Sequence, residues 1–173
     1  MYFSKLLTPL LYLSLLLGWQ PVQSSESTEG GSATDSPESK ARSVLQRQLT
    51  ALQNNDEPEP DAGIKTAWDH AHPANRAHTG PYERFKNMLK GPVYGGLIDH
   101  EKHKIKLMQK TKNSATYNVI AIPEENQTRL LYRWKVEKIL KGNRAGEWAT
   151  TAVSAPIEKE QIQENRRNES VRL

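Results

Sequence analysis

Apolar residues recur along this chain with two different periods, and the change from one to the other sets out its architecture. From Ser36 to Asn54 the spacing is helical: Val44, Leu45, Leu49 and Leu52 share a stripe, and Ser36 and Pro37 read as an N-cap and first helical position. The run Asp56, Glu57, Pro58, Glu59, Pro60, Asp61 ends that helix, because two prolines remove backbone donors and force their predecessors into extended geometry. Asp61 is expected to cap a short second helix that carries Ile64, Ala67, Trp68 and Ala71 and is stopped by Pro73. A third helix is punctuated at both ends. Thr79 or Gly80 stands at its cap and Pro81 at its first position; Tyr82, Phe85, Met88 and Leu89 form one stripe, and Gly91 and Pro92 follow its end.

Beyond Tyr94 the period becomes two. His103, Ile105 and Leu107 share one face, as do Tyr117, Val119 and Ala121; Leu130, Tyr132, Trp134 and Val136; and Trp148, Thr150 and Ala152. The breaks at Asn113 and Ser114, at Glu124 to Gln127 and at Gly142 to Gly146 have hairpin length. Helices first and hairpin-linked strands afterwards predict an α+β fold, with three N-terminal helices packed on a curved antiparallel sheet of about four strands.

The segment before this domain has another character. Met1 to Ser24 carries a single charge, Lys5, ahead of a run from Leu6 to Trp19 that is apolar apart from Thr8 and Ser14. That run is short for a bilayer crossing of ~20 residues and matches the apolar region of a secretion signal, with Val22 and Ser24 as a small-residue cleavage pattern. The expectation is an exported, periplasmic or extracellular protein, the alternative being a membrane anchor formed by the uncleaved segment. Residues 25–36 read as a disordered acidic linker, residues 37–156 as the domain, and residues 157–173 as a polar tail, frayed helix or disordered.

Composition narrows the chemistry. The chain has 173 residues and 36% hydrophobic content, enough for one core. It has no cysteine, which removes disulfides, thiolate zinc sites and cysteine nucleophiles. The net charge of +4 is too weak a bias to argue for nucleic acid. The bases of Arg84 to Lys112 include Lys104 and Lys106, which alternate with Ile105 and Leu107. They read as the solvated face of a strand, with contact to an anionic surface or glycan as the alternative.

Several segments resemble a known family. LTALQNND at Leu49 to Asp56, PEPDAGI at Pro58 to Ile64, PANRAHTGPYERFKNMLKGPVY at Pro73 to Tyr94 and the late Gly146, Glu147, Trp148 are similar to domain-of-unknown-function family 4864, an uncharacterised bacterial and plastid family. Its members resemble the nuclear-transport-factor-two-like or SnoaL-like cone, in which helices close over a strongly curved sheet and leave a pocket. The resemblance implies that architecture and carries no catalytic residues.

Candidate chemistry is sparse. His70, His72 and His78 lie near Asp69 and suggest a metal site, but the i, i+2 pair diverges where a helix ends. His100, Glu101 and His103 fall one residue short of the zinc-protease pattern, and on a regular strand the two imidazoles point to opposite faces. Nucleophile-elbow, P-loop and dinucleotide-binding motifs do not occur. Trp68, Tyr82, Tyr94, Tyr132, Trp134 and Trp148 fall on inward stripes and are candidates to line a pocket for a small apolar ligand, or to fill the core. The functional expectation is a non-catalytic binding or interaction module, as a monomer or a homodimer, with no cofactor, no nucleic acid, and membrane contact only through an uncleaved signal. The alternatives are a histidine metal-binding protein and a proton-transfer enzyme with Asp69 as base and Tyr82 or Tyr94 as oxyanion donor.

Overall fold

The computed structural model describes residues 36–124 and 128–158; the expected signal, nearly all of the linker and the tail after Glu158 lie outside the described residues. In order, the elements are α1 (Pro37–Gln53), α2 (Ala62–Asp69), α3 (Pro73–Thr79), α4 (Tyr82–Lys90), a 3-10 turn (Gly95–Leu97), β1 (His100–Lys110), β2 (Ser114–Pro123), β3 (Leu130–Lys138), β4 (Trp148–Val153) and β5 (Ile157–Glu158). The fold class is α+β, as the change of period predicts. Among the described residues, no helix is long and apolar enough to cross a membrane.

α1 begins as its residues dictate: Ser36 is extended, its hydroxyl accepts from the Ser39 amide at 3.1 Å, and Pro37 follows. α2 departs from expectation at its start. Asp61 stands at the N-cap position in the left-handed region, φ 65°, and its side chain caps nothing. Its carboxylate turns instead to Lys90 of α4, 2.6 Å away, which holds its pKa below the usual carboxylate value.

The helical layer holds one helix more than the three expected. α2 ends at Asp69, so Ala71, expected on it, instead bridges to Thr150 of β4, and Pro73 opens α3, where its fixed φ suits a first helical position and its missing N–H costs nothing. His72 caps this helix, its Nδ1 accepting from the Ala74 amide at 3.1 Å. α3 buries no residue, so it carries no apolar stripe by which periodicity could reveal it.

β1 to β4 form an antiparallel meander in chain order, and β5 adds to β3 by pairing Leu131 with Ile157. Ile157 and Glu158 therefore belong to the sheet and not to a tail. Tyr117, Val119, Ala121, Tyr132, Trp134 and Val136 are buried on one face, and Leu45, Leu49 and Leu52 of α1 join them in the core. α1 runs antiparallel to β1, held by Glu38 to Lys110 at 2.5 Å, Gln46 to His103 at 3.0 Å and Gln53 to the Glu101 carbonyl at 2.7 Å. α2 comes very close to α1 at Gly63, where an added Cβ would stand 2.2 Å from the Ala51 carbonyl oxygen.

Three irregularities interrupt the ladders, one of them between Leu107 and Gln109; the other two alter which side chains face inward. Between Lys135 and Val136 the partner on β4 jumps from Ala152 to Thr150, so Thr151 is an extra residue. Ala152 is consequently exposed, against the alternation expected from Trp148 and Thr150, while Val153 pairs with Trp134. The second irregularity lies between His100 and Lys102.

Candidate functional site

A cavity of about 250 Å³ lies between the helices and the sheet. Leu52 of α1, Phe85, Met88 and Leu89 of α4, and Tyr94 and Leu97 beyond it supply most of its apolar wall. Trp134 and Val153 close the sheet side, and Asn75, His78 and Thr79 of α3 stand at its margin. This is room for a ligand of modest size, since a cavity of roughly 150 Å³ with aliphatic and aromatic walls already accepts benzene.

One wall is polar and internally satisfied. Trp134 Nε1–H donates to Thr150 Oγ1 at 2.9 Å, and that hydroxyl donates to Gln48 Oε1 at 2.5 Å. Gln48 Nε2 donates to the Ala67 carbonyl at 2.9 Å. Gln48 and Thr150 are both 2% exposed, so each hydrogen bond replaces water that cannot reach the site. Asn75 joins from α3, its Nδ2 donating to the Thr150 carbonyl at 3.1 Å. Gln48 is absent from the sequence-derived candidates, although a signal exists: it falls three residues after Leu45 and four before Leu52, a polar residue on the buried stripe of α1.

The six candidate aromatics divide. Tyr94 and Trp134 line the cavity, and Tyr94 also donates its hydroxyl to the Val153 carbonyl at 3.2 Å. Trp68 packs on Phe85 at 5.2 Å and Tyr82 at 6.1 Å between centroids, with the Arg76 guanidinium 4.9 Å over its ring, so Trp68 and Tyr82 bind α2 to α4. Tyr132 and Trp148 fill the core. The Tyr132 hydroxyl is buried without a hydrogen-bond partner among the described residues, and burial together with the Tyr94 phenol raises its pKa well above the usual value.

The polar candidates are not gathered around the cavity. Asp69 is about half exposed and paired with Lys65 at 2.5 Å and Arg76 at 3.8 Å, a surface arrangement in which a carboxylate is solvated and cannot serve as a sheltered base. His70 donates from Nδ1 to the Thr66 carbonyl at 2.9 Å and accepts at Nε2 from Arg47 at 2.9 Å; both directions are forced, because a carbonyl only accepts and a guanidinium only donates. His72 is spent on capping α3, and His78 lies exposed at the cavity margin. Among the described residues no three His, Cys, Asp or Glu side chains are grouped to hold a metal ion.

A different pair of histidines is brought together. The irregularity after His100 turns both His100 and His103 toward α1, against the opposite faces expected of a regular strand, and their rings lie 5.0 Å apart. His100 Nδ1 must donate to the Leu97 carbonyl at 2.8 Å, so its Nε2 accepts from His103 Nδ1–H at 2.8 Å. His103 Nε2 then accepts from Gln46 Nε2–H at 3.0 Å. The bond from His103 to His100 requires a neutral His100, and the bond from Gln46 to His103 a neutral His103. Burial lowers the pKa of both histidines, and for His103 the neighbouring His100 lowers it further; the Leu97 carbonyl and Asp99 oppose the shift at His100.

Compared with known protein families, with curated proteins and with solved structures, the chain matches none.

Proposed function

We propose that this protein is a non-catalytic exported binding module that holds a small apolar ligand between its helices and its sheet. The observation that carries the reading is the cavity of about 250 Å³ walled by Leu52, Phe85, Met88, Leu97 and Trp134. Its polar wall supports binding over chemistry: the Gln48, Thr150 and Trp134 groups are engaged with one another, which positions a ligand without offering it a base or nucleophile. The finer architecture, a cone of helices closing over a bent sheet as in the nuclear-transport-factor-two-like proteins, belongs to the same proposal. It is supported by the helical layer on one face of a meander and by the segments from Leu49 to Tyr94 that resemble the uncharacterised family. Export rests on the sequence from Lys5 to Ser24.

The test is a thermal-shift screen of monocyclic aromatics, terpenoids and short-chain fatty acids. A ligand at about 100 times its Kd stabilises the fold by about 2.7 kcal/mol and raises the melting temperature by several degrees. Val153→Trp, which puts an indole at the cavity wall, should abolish that shift while the protein still melts cooperatively. A screen without any shift, or a shift that persists in Val153→Trp, refutes the reading.

A further inference from the structure

The sheet face opposite the core bears an array of cations, built from rows that cross the strands. Lys104 pairs with Ile120, Ile120 with Leu131 and Leu131 with Ile157; Lys106 pairs with Asn118 and Asn118 with Arg133; Thr116 pairs with Lys135. These positions alternate with the buried Tyr117, Val119, Ala121, Tyr132 and Trp134, so they share the outer face. Lys104, Lys106 and Arg133 are exposed, and no ion pair engages them among the described residues. Two neighbouring cations are neutralised locally, Lys102 by Glu101 and Lys135 by Glu137, each at 2.8 Å. Ile120, Ile122 and Leu131 lie half-buried between the cations, and Ile157 is 41% exposed. At one end, Lys104, Ile120, Ile122 and Arg129 help to line a hollow of about 280 Å³.

We propose that this outer sheet face docks on an anionic phospholipid bilayer, with Lys104, Lys106, Arg129 and Arg133 directed at the headgroups and the hollow beside Lys104 receiving one of them. Charge complementarity and the spread of the cations select this occupant. Adjacent strands are ~4.8 Å apart, so the free cations of β1 and of the β3 side, which flank β2, are spread across the strands as well as along them, and a surface of negative charge meets all of them together, whereas a linear chain would follow one row. The rows carry no aromatic ring on which bases or sugars would stack. A second copy of the chain would set lysine against lysine across a two-fold axis, which is repulsive. This docking is separate from the cavity, and its outcome does not depend on the ligand proposal.

Sedimentation of the full chain with vesicles tests it, using phosphatidylcholine alone and phosphatidylcholine with about one third phosphatidylglycerol. The uncharged run from Leu6 to Trp19 is common to all arms and does not distinguish the two compositions. In about 0.1 M salt the anionic vesicles should retain the protein more strongly, and about 1 M salt, where the Debye length falls to about 3 Å, should erase the difference. Lys104→Gln, Lys106→Gln and Arg133→Gln together should lower the anionic partition coefficient roughly a hundredfold, and Lys104→Gln alone roughly fivefold, with unchanged melting. The single variant keeps the test open if the triple variant does not fold. Equal binding to both compositions, anionic binding that survives these substitutions in folded protein, or capture by an acidic polypeptide such as polyglutamate without any by vesicles would each overturn the proposal.

Discussion

His103 gives its Nδ1 proton to the Nε2 of His100 across 2.8 Å, and this bond fixes the tautomer of both rings because His100 must itself donate to the Leu97 carbonyl. The chain continues through His103 Nε2 to Gln46, so one of the links between α1 and β1 depends on these imidazoles remaining neutral. A proton added at either acceptor nitrogen places two donors face to face.

The pH dependence of stability follows from the direction of the shifts. Both histidines have folded-state pKa values below the ordinary 6.5, so the unfolded chain takes up protons first as pH falls. Their stabilising contribution is complete above about pH 6.5 and is lost as pH drops through that value toward the lower folded values. Urea midpoints should therefore decrease from pH 7.5 to 5.5. His103→Gln, which retains a polar group without titrating in this range, should flatten that dependence; an equal slope in the variant would place its origin elsewhere.

Thr150 joins Trp134 and Gln48, and removing its hydroxyl leaves a buried indole N–H and a buried amide oxygen without their partner. Thr150→Val should cost about 2–3 kcal/mol by urea unfolding. Gln48→Met combined with Thr150→Val should cost less than the sum of the two single changes, since the amide oxygen orphaned by the first loss is removed by the second. Strict additivity would show that the three groups do not act as a network.

Gly63 sets the distance between α1 and α2. A Cβ there meets the Ala51 carbonyl oxygen at 2.2 Å and the Asn55 Cα at 2.9 Å, backbone atoms that cannot rotate away. Gly63→Ala should destabilise the protein by about 2–3 kcal/mol, the cost of overpacking. Because α2 also supplies Ala67 to the cavity wall, and Ala71 lines it just beyond the end of α2, any ligand that binds the parent should bind this variant more weakly.

Much of the framework is legible in the chain itself. Local physics decided it: the stripe of α1, the proline and glycine that bracket α4, and the alternation of Tyr117, Val119 and Ala121 or of Tyr132, Trp134 and Val136 each fix an element from within a few residues. These patterns sufficed for the α+β class and for the meander, since short hairpin connections leave consecutive strands little choice of neighbour. Periodicity has no purchase on α3, which buries nothing, or on Asp61, whose partner Lys90 lies on another helix.

The candidate site is the work of tertiary structure. Six aromatics have the same inward signature in sequence, yet Tyr94 and Trp134 reach the cavity while Trp68 and Tyr82 join helices and Tyr132 and Trp148 fill the core. An inward stripe fixes which side of an element faces the core, but not where a void remains, because that depends on how side chains from distant segments interlock. The irregularities at Thr151 and after His100 act in the same way: one extra residue in a ladder reverses the alternation, exposing Ala152 and bringing His100 against His103. The sequence alone determined α1, α2, α4 and the strands β1 to β4 in their order, since these depend on near neighbours along the chain. Only the packed fold decided which groups meet at the cavity and at the histidine pair, since Gln48 reaches Thr150 and Gln46 reaches His103 from distant parts of the chain, and the contact of His100 with His103 depends on the irregular pairing of β1 with β2.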